Sequence, residues 1–132
     1  MNESRCGPNK PPLSRSMVAG VFLHGGGATL LEPAPRAEAA ASFLAALRRV
    51  FPFLPPDLDL VRLNAGVQVA AGAALALGIR PRLAARVLAL SLVPTTLAGH
   101  PFWEATDPGE RGMELIQCGK NLGVMGGLLL LA

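Results

Sequence analysis

Tyrosine is missing from this chain, and other aromatics are scarce: five phenylalanines and one tryptophan in 132 residues. Surfaces that grip nucleic acid interleave aromatics with a basic patch. The twelve Lys and Arg residues here are scattered instead, so no nucleic acid partner is expected. Charge is also sparse. Asp, Glu, Lys and Arg make up 16% of the chain, against about 25% in average soluble domains. Only two cysteines occur, Cys6 and Cys118, in no CxxC and at no metal-ligand spacing. No metal site is expected from them. Cys118 reads as a small packing residue in preference to a partner of Cys6 in a disulfide. No Ser, His and Asp group around a nucleophile, and Gly25-Gly26-Gly27 lacks the frame of a phosphate-binding loop.

What remains is apolar. The hydrophobic share is 51% and the mean hydropathy is +0.41. The apolar residues fall in four blocks, residues 17–31, 63–77, 83–98 and 113–131. A soluble domain this small needs polar outer faces on nearly every helix, and these blocks do not supply them. The expectation is an all-α, four-helix transmembrane bundle. The first block is short against the roughly 20 residues that cross a bilayer core. A secretory signal peptide ending at Ala37-Glu38-Ala39 is the rival reading of that block. The glycine triplet and the later apolar blocks favour a span.

Between these blocks lie informative connections. Residues 1–13 are polar and Pro-rich and are expected to form a flexible tail, with residues 14–132 as the membrane domain. Across residues 36–53, Ala40, Phe43, Leu44, Leu47, Val50 and Phe51 recur at helical spacing. They predict an extra amphipathic helix between spans one and two, ended by Pro52. It lies either in the membrane interface or folded over the bundle. Arg80, Arg82 and Arg86 cluster at the second turn, whereas Glu104, Asp107, Glu110 and Glu114 dominate the last loop. The positive-inside rule then puts both termini in the cytoplasm.

A family pattern emerges from Asn64-Ala65-Gly66-Val67-Gln68-Val69 onward. It continues through Leu77-Gly78-Ile79-Arg80-Pro81-Arg82 and is strongest from Ser91 to Trp103, around Pro94-Thr95-Thr96. It ends in Lys120-Asn121-Leu122-Gly123. The chain resembles the DoxX family of small bacterial membrane proteins, in the form found in actinobacteria. The resemblance implies a four-helix membrane bundle in the bacterial plasma membrane. It also implies a membrane subunit or anchor of a redox system, of the thiosulfate–quinone or thiol and oxidative-stress type. Redox proteins would be its partners; the sequence itself names no cofactor, and quinone near Lys120 and Asn64 is the one the resemblance admits. Relatives often carry an acidic and then a basic residue after the glycine pair, where this chain has Ala28 and Leu31. They often show His-Phe-Leu where it has Gln117-Cys118-Gly119. Both departures remove polar or ionisable groups.

Polar residues inside apolar blocks are the candidate site residues. Asn64 and Gln68 lie four apart and share a helix face. They form either a ligand-binding face or interhelical hydrogen bonds. Lys120 inside an apolar helix demands a partner or water. It reads as a ligand-facing cation, as a snorkelling side chain or as half of an ion pair with Glu114. Asn121 beside it is suited to bonding across helices. His100, at a span end near Trp103, reads as a helix-end cap or a titrating group. His24 in the first block is its only histidine companion, and no haem site is evident. Gly119, Gly123 and Gly127 form a ridge that admits a close helix. Three functions remain open: a redox-system subunit, a self-associating scaffold built on the glycine ridge, and a bundle that binds a small solute or lipid at Asn64 and Gln68.

Overall fold

The computed structural model describes residues 13–132, which form five helices and, among the described residues, no strand. The helices are α1 (Leu13–Leu31), α2 (Ala34–Val50), α3 (Asp57–Leu77), α4 (Pro81–Gly99) and α5 (Pro108–Leu131). The expected tail lies outside the described residues, as does Cys6. Leu13, assigned to that tail from sequence, instead opens α1.

Prolines punctuate the chain. Pro33 and Pro35 flank the start of α2, where a missing N–H costs nothing. At its end, Pro52 follows the C-cap residue Phe51, so the helix stops short of the 53 expected from periodicity. The turn from α3 to α4 is tighter still. Gly78 takes the left-handed conformation (φ 72°), and Ile79 N–H reaches back to the Ala74 carbonyl at 2.8 Å. This is the glycine-terminated helix end that satisfies orphan carbonyls. Arg80 also has positive φ (43°), a conformation that costs a non-glycine residue energy. Asp107 caps the start of α5, its Oδ2 accepting the Glu110 N–H at 3.0 Å.

α1 packs along α3, α3 along α4 and α4 along α5, with a lighter contact from α5 back to α1. These four helices therefore form a ring. Gly26 meets Ala65 and Val69, while Gly72 meets Ala19, Phe22 and Leu23. Early residues of one helix face late residues of the other, so α1 and α3 run antiparallel. The core at the other half holds Ala19, Phe22, Leu75, Ala85, Leu88, Leu92 and Leu128. Alanines alternate there with leucines, and Ala19, Ala84, Ala85 and Ala89 let the backbones approach closely. α2 stands outside the ring and lies across α3 and α4. Its Ala40 and Leu44 are buried, so its apolar face is folded over the bundle.

α3, with 21 residues and a mean hydropathy of 1.5, is the one described helix long and apolar enough by composition to cross a membrane. The four-block expectation is thus met by helices but not by four equally apolar ones. Ser14, Arg15, Ser16 and His24 dilute α1; Arg82 and Arg86 dilute α4; and Glu110, Arg111, Glu114 and Lys120 dilute α5. The outer surface is nevertheless rich in large apolar side chains. Met17, Leu63, Leu77, Leu90, Ile116, Leu122 and Leu130 are all exposed, Leu130 to 90%.

Candidate functional site

The ring is packed tightly at one end and opens at the other. At the open end a cavity of about 420 Å³ lies between the last half of α1, the first half of α3 and the last half of α4. α2 roofs it. Val21, Phe22, Phe43, Leu44, Leu47 and Leu92 supply apolar wall. Such a chamber, mostly apolar with a few convergent polar groups, is the common form of a small-molecule site.

Two threonines of α4 organise the polar wall. Pro94 lacks an N–H, and Thr95 and Thr96 follow it. Each returns its hydroxyl to the backbone one turn earlier, Thr95 Oγ1 to the Ser91 carbonyl at 2.8 Å and Thr96 Oγ1 to the Leu92 carbonyl at 2.7 Å. A hydroxyl has one proton, so both oxygens are left as acceptors. The Asn64 amide donates to Thr95 Oγ1 at 2.9 Å, and the Gln68 amide donates to the same atom at 3.1 Å. The Asn121 amide donates to Thr96 Oγ1 at 3.0 Å. Thr95 thus ties α3 to α4, and Thr96 ties α5 to α4. The spacing of four between Asn64 and Gln68 is what brings both amides to one atom.

The donor roles fix the amide orientations. With every NH₂ group on a threonine oxygen, the carbonyl oxygens of Asn64, Gln68 and Asn121 point elsewhere. None of the three accepts a hydrogen bond among the described residues. Gln68 is 8% exposed, and all three residues line the cavity.

Charged groups border the chamber. His100 lines it and pairs with Glu114, its Nδ1 2.8 Å from Oε2. Glu114 is therefore engaged by His100, and of the three readings of Lys120 the ion pair with Glu114 is not formed among the described residues. Arg36 of α2 also lines the cavity and is exposed, with no ion pair among the described residues. The roof is held near its C-terminal end by Arg48 paired with Asp57 and at its middle by Ser42 donating to Glu104 at 3.1 Å.

The sequence-derived candidates divide accordingly. Asn64, Gln68, His100 and Asn121 are brought together at the cavity. Lys120 is exposed outside it, one position from Asn121 but on another side of α5. Gly119, Gly123 and Gly127 lie apart from it too, and a Cβ at any of them would meet nothing within 4 Å. The close helix approaches are made instead by Gly26 and Gly72. Gly26 is the tighter, since its Cβ would stand 2.9 Å from Val69 and 3.0 Å from the Ala65 carbonyl. His24 is exposed on α1. Arg36 and Phe43 were not singled out from sequence as site residues. The signal for Thr95 and Thr96 was their place just after a proline in an apolar helix.

No curated protein and no solved structure matches the chain. The DoxX family profile matches residues 12–101, from the start of α1 to the loop after α4, and leaves α5 outside. That stretch is more than half of the chain and carries most of the cavity wall, so the chain belongs to the DoxX family.

Proposed function

We propose that this chain is a multi-pass membrane protein of the bacterial plasma membrane whose cavity holds a small membrane-soluble molecule. Its role in the cell is that of a DoxX-type membrane subunit serving a redox system, with quinone as the leading ligand. The observation that carries the reading is the Asn64–Thr95–Gln68 wall inside an otherwise apolar chamber. Amides that served only to hold helices together would need no adjoining cavity.

The membrane part rests on two supports. The ring helices have 19, 21, 19 and 24 residues. At 1.5 Å per residue their lengths run from about 28 to about 36 Å, near the ~30 Å of a bilayer core. The exposed leucines and valines form an apolar outer surface that lipid would cover without cost. With the basic turn after α3 in the cytoplasm, both termini are cytoplasmic, and the cavity opens toward the outer leaflet with the acidic loop.

The test is purification of the full chain in mild detergent, followed by an absorption spectrum, solvent extraction and mass spectrometry of bound small molecules and co-purifying proteins. The reading predicts a membrane-soluble ligand such as a quinone, and a redox protein among the partners. A ligand-free protein that associates only with itself contradicts it. That outcome supports a second reading, a self-associating scaffold, favoured by the uncovered Gly119, Gly123 and Gly127 ridge. The scaffold predicts that Gly123→Leu breaks assembly while Lys120→Ala leaves it intact.

A further inference from the structure

The wall of the chamber is one-sided in charge. No Asp or Glu lines it, and its two ionisable residues are basic, Arg36 of α2 and His100 just after α4. His100 is already answered by Glu114, 2.8 Å away. Arg36 is not answered. Glu32 and Glu38 are its closest acids in sequence, and it pairs with neither among the described residues. Glu38 is two positions on, and residues so spaced do not share a helix face. Glu104, on the loop that touches α2, accepts from Ser42 instead. Arg36 shares its face with Ala39 and Ala40, three and four positions on, which also line the chamber. The chamber therefore carries one uncompensated charge, and it is positive. Four of the lining residues are exposed, Val21 of α1, Arg36 and Ala39 of α2, and Pro94 of α4. α2 rests on α3 and α4, so the first three flank an opening between α1 and α2, with Arg36 in it.

We infer that the chamber takes an anionic amphiphile: an apolar ring or chain inside, and a carboxylate or similar acid group held by Arg36 in the opening between α1 and α2. This inference rests on the ligand-holding role proposed above and fixes the polar end of the ligand. A ring of quinone type is included where it carries such a group. A neutral molecule fills the apolar wall of Phe22, Phe43 and Leu44 equally well but leaves the arginine to water. A cationic one meets like charge. Each amide of the polar wall offers both N–H and carbonyl oxygen, so it suits polar atoms of either kind, and the discrimination comes from charge. Arginine lays its stem along apolar surface and keeps its head in water, which orients the ligand with its acid group outward. The volume of about 420 Å³ suits one drug-sized body. The occupant is thus a free small amphiphile and not the headgroup of a two-chain lipid.

The experiment is equilibrium dialysis of the full chain in phosphatidylcholine nanodiscs against 2-naphthoate and, separately, 2-naphthamide at neutral pH, with empty nanodiscs subtracting partition into lipid. The two probes share a skeleton and nearly a shape, and differ in charge. The inference predicts that 2-naphthoate binds about threefold to tenfold tighter, the range for a charge-assisted bond to a cation open to solvent. Added salt narrows the ratio. In Arg36→Gln the ratio falls toward one while 2-naphthamide binds as before. Arg49→Gln, which removes an exposed cation of the same helix away from the chamber, leaves the ratio unchanged. Equal binding of the two probes to the wild type overturns the anionic class and leaves a ligand-holding cavity in place. Binding of neither overturns both the class and the role it rests on. An Arg36→Gln chain that keeps the full preference, or an Arg49→Gln chain that loses as much, overturns the assignment to Arg36. Displacement of 2-naphthoate by phosphatidylglycerol placed in the nanodisc overturns the commitment to a free amphiphile.

Discussion

Thr95 carries more of this protein's organisation than its size suggests. Its hydroxyl joins α3 to α4 through two amides while bonding its own helix. Thr95→Val keeps the shape and removes that junction, leaving two amide donors without their acceptor. The expected loss is about 1–3 kcal/mol, the usual penalty of an unsatisfied buried polar group. Thermal unfolding in detergent, compared with an exposed control such as Thr106→Val, measures it; equal midpoints would contradict the role given to Thr95. The amide pair was legible from the sequence, because residues four apart in an apolar helix share a face. Their common partner was less so. A threonine after a proline satisfies its local backbone equally well with or without a second role. Lys120 drew attention through its charge alone, yet the fold leaves it on the exposed side of α5. Charge in an apolar run reports a cost and does not say which way the helix faces.

Among the elements, the contact between α1 and α3 depends on two glycines, and only one is tight. A Cβ on Gly26 would press against the Ala65 carbonyl, which cannot yield as a side chain does. Gly26→Ala is expected to lower stability by about 1–3 kcal/mol through overpacking. Gly123→Ala meets open space and is expected to leave the isolated chain unchanged or more stable by up to about 1 kcal/mol, since alanine is the better helix former. Unfolding midpoints of the two variants test the pair, and the reverse order would place the close approach on α5. Sequence spacing marks both as candidates for close packing, since the glycines of α5 repeat every four residues. It cannot say which ridge is covered within one chain. The reach of α2 was legible from its prolines to within a few residues. The periodicity ran on through Phe51 and Phe53, but Pro52 cannot continue the hydrogen-bond ladder. That its apolar stripe folds over the bundle depends on the cavity wall it completes, which no local pattern records.

At the scale of the whole molecule, the helical class and the number of elements follow from apolar blocks and proline breaks. The ring order α1, α3, α4, α5 does not, because any of several pairings would bury similar surface. The proposed orientation makes a direct prediction. Single cysteines introduced at Arg80 and at Thr106, in a chain lacking Cys6 and Cys118, should label from opposite sides of the membrane, Thr106 from outside. Labelling of both from the same side would contradict the multi-pass arrangement. The central claim, that the chamber under α2 holds a membrane-soluble molecule, is tested most directly by filling it. Ala98 lines the cavity, and Ala98→Phe would occupy much of its apolar space. Mass spectrometry of organic extracts should find a small molecule in near one-to-one amount with the wild-type protein and little with Ala98→Phe, both purified identically as folded chains. The same content in both, or none in the wild type, would contradict the account.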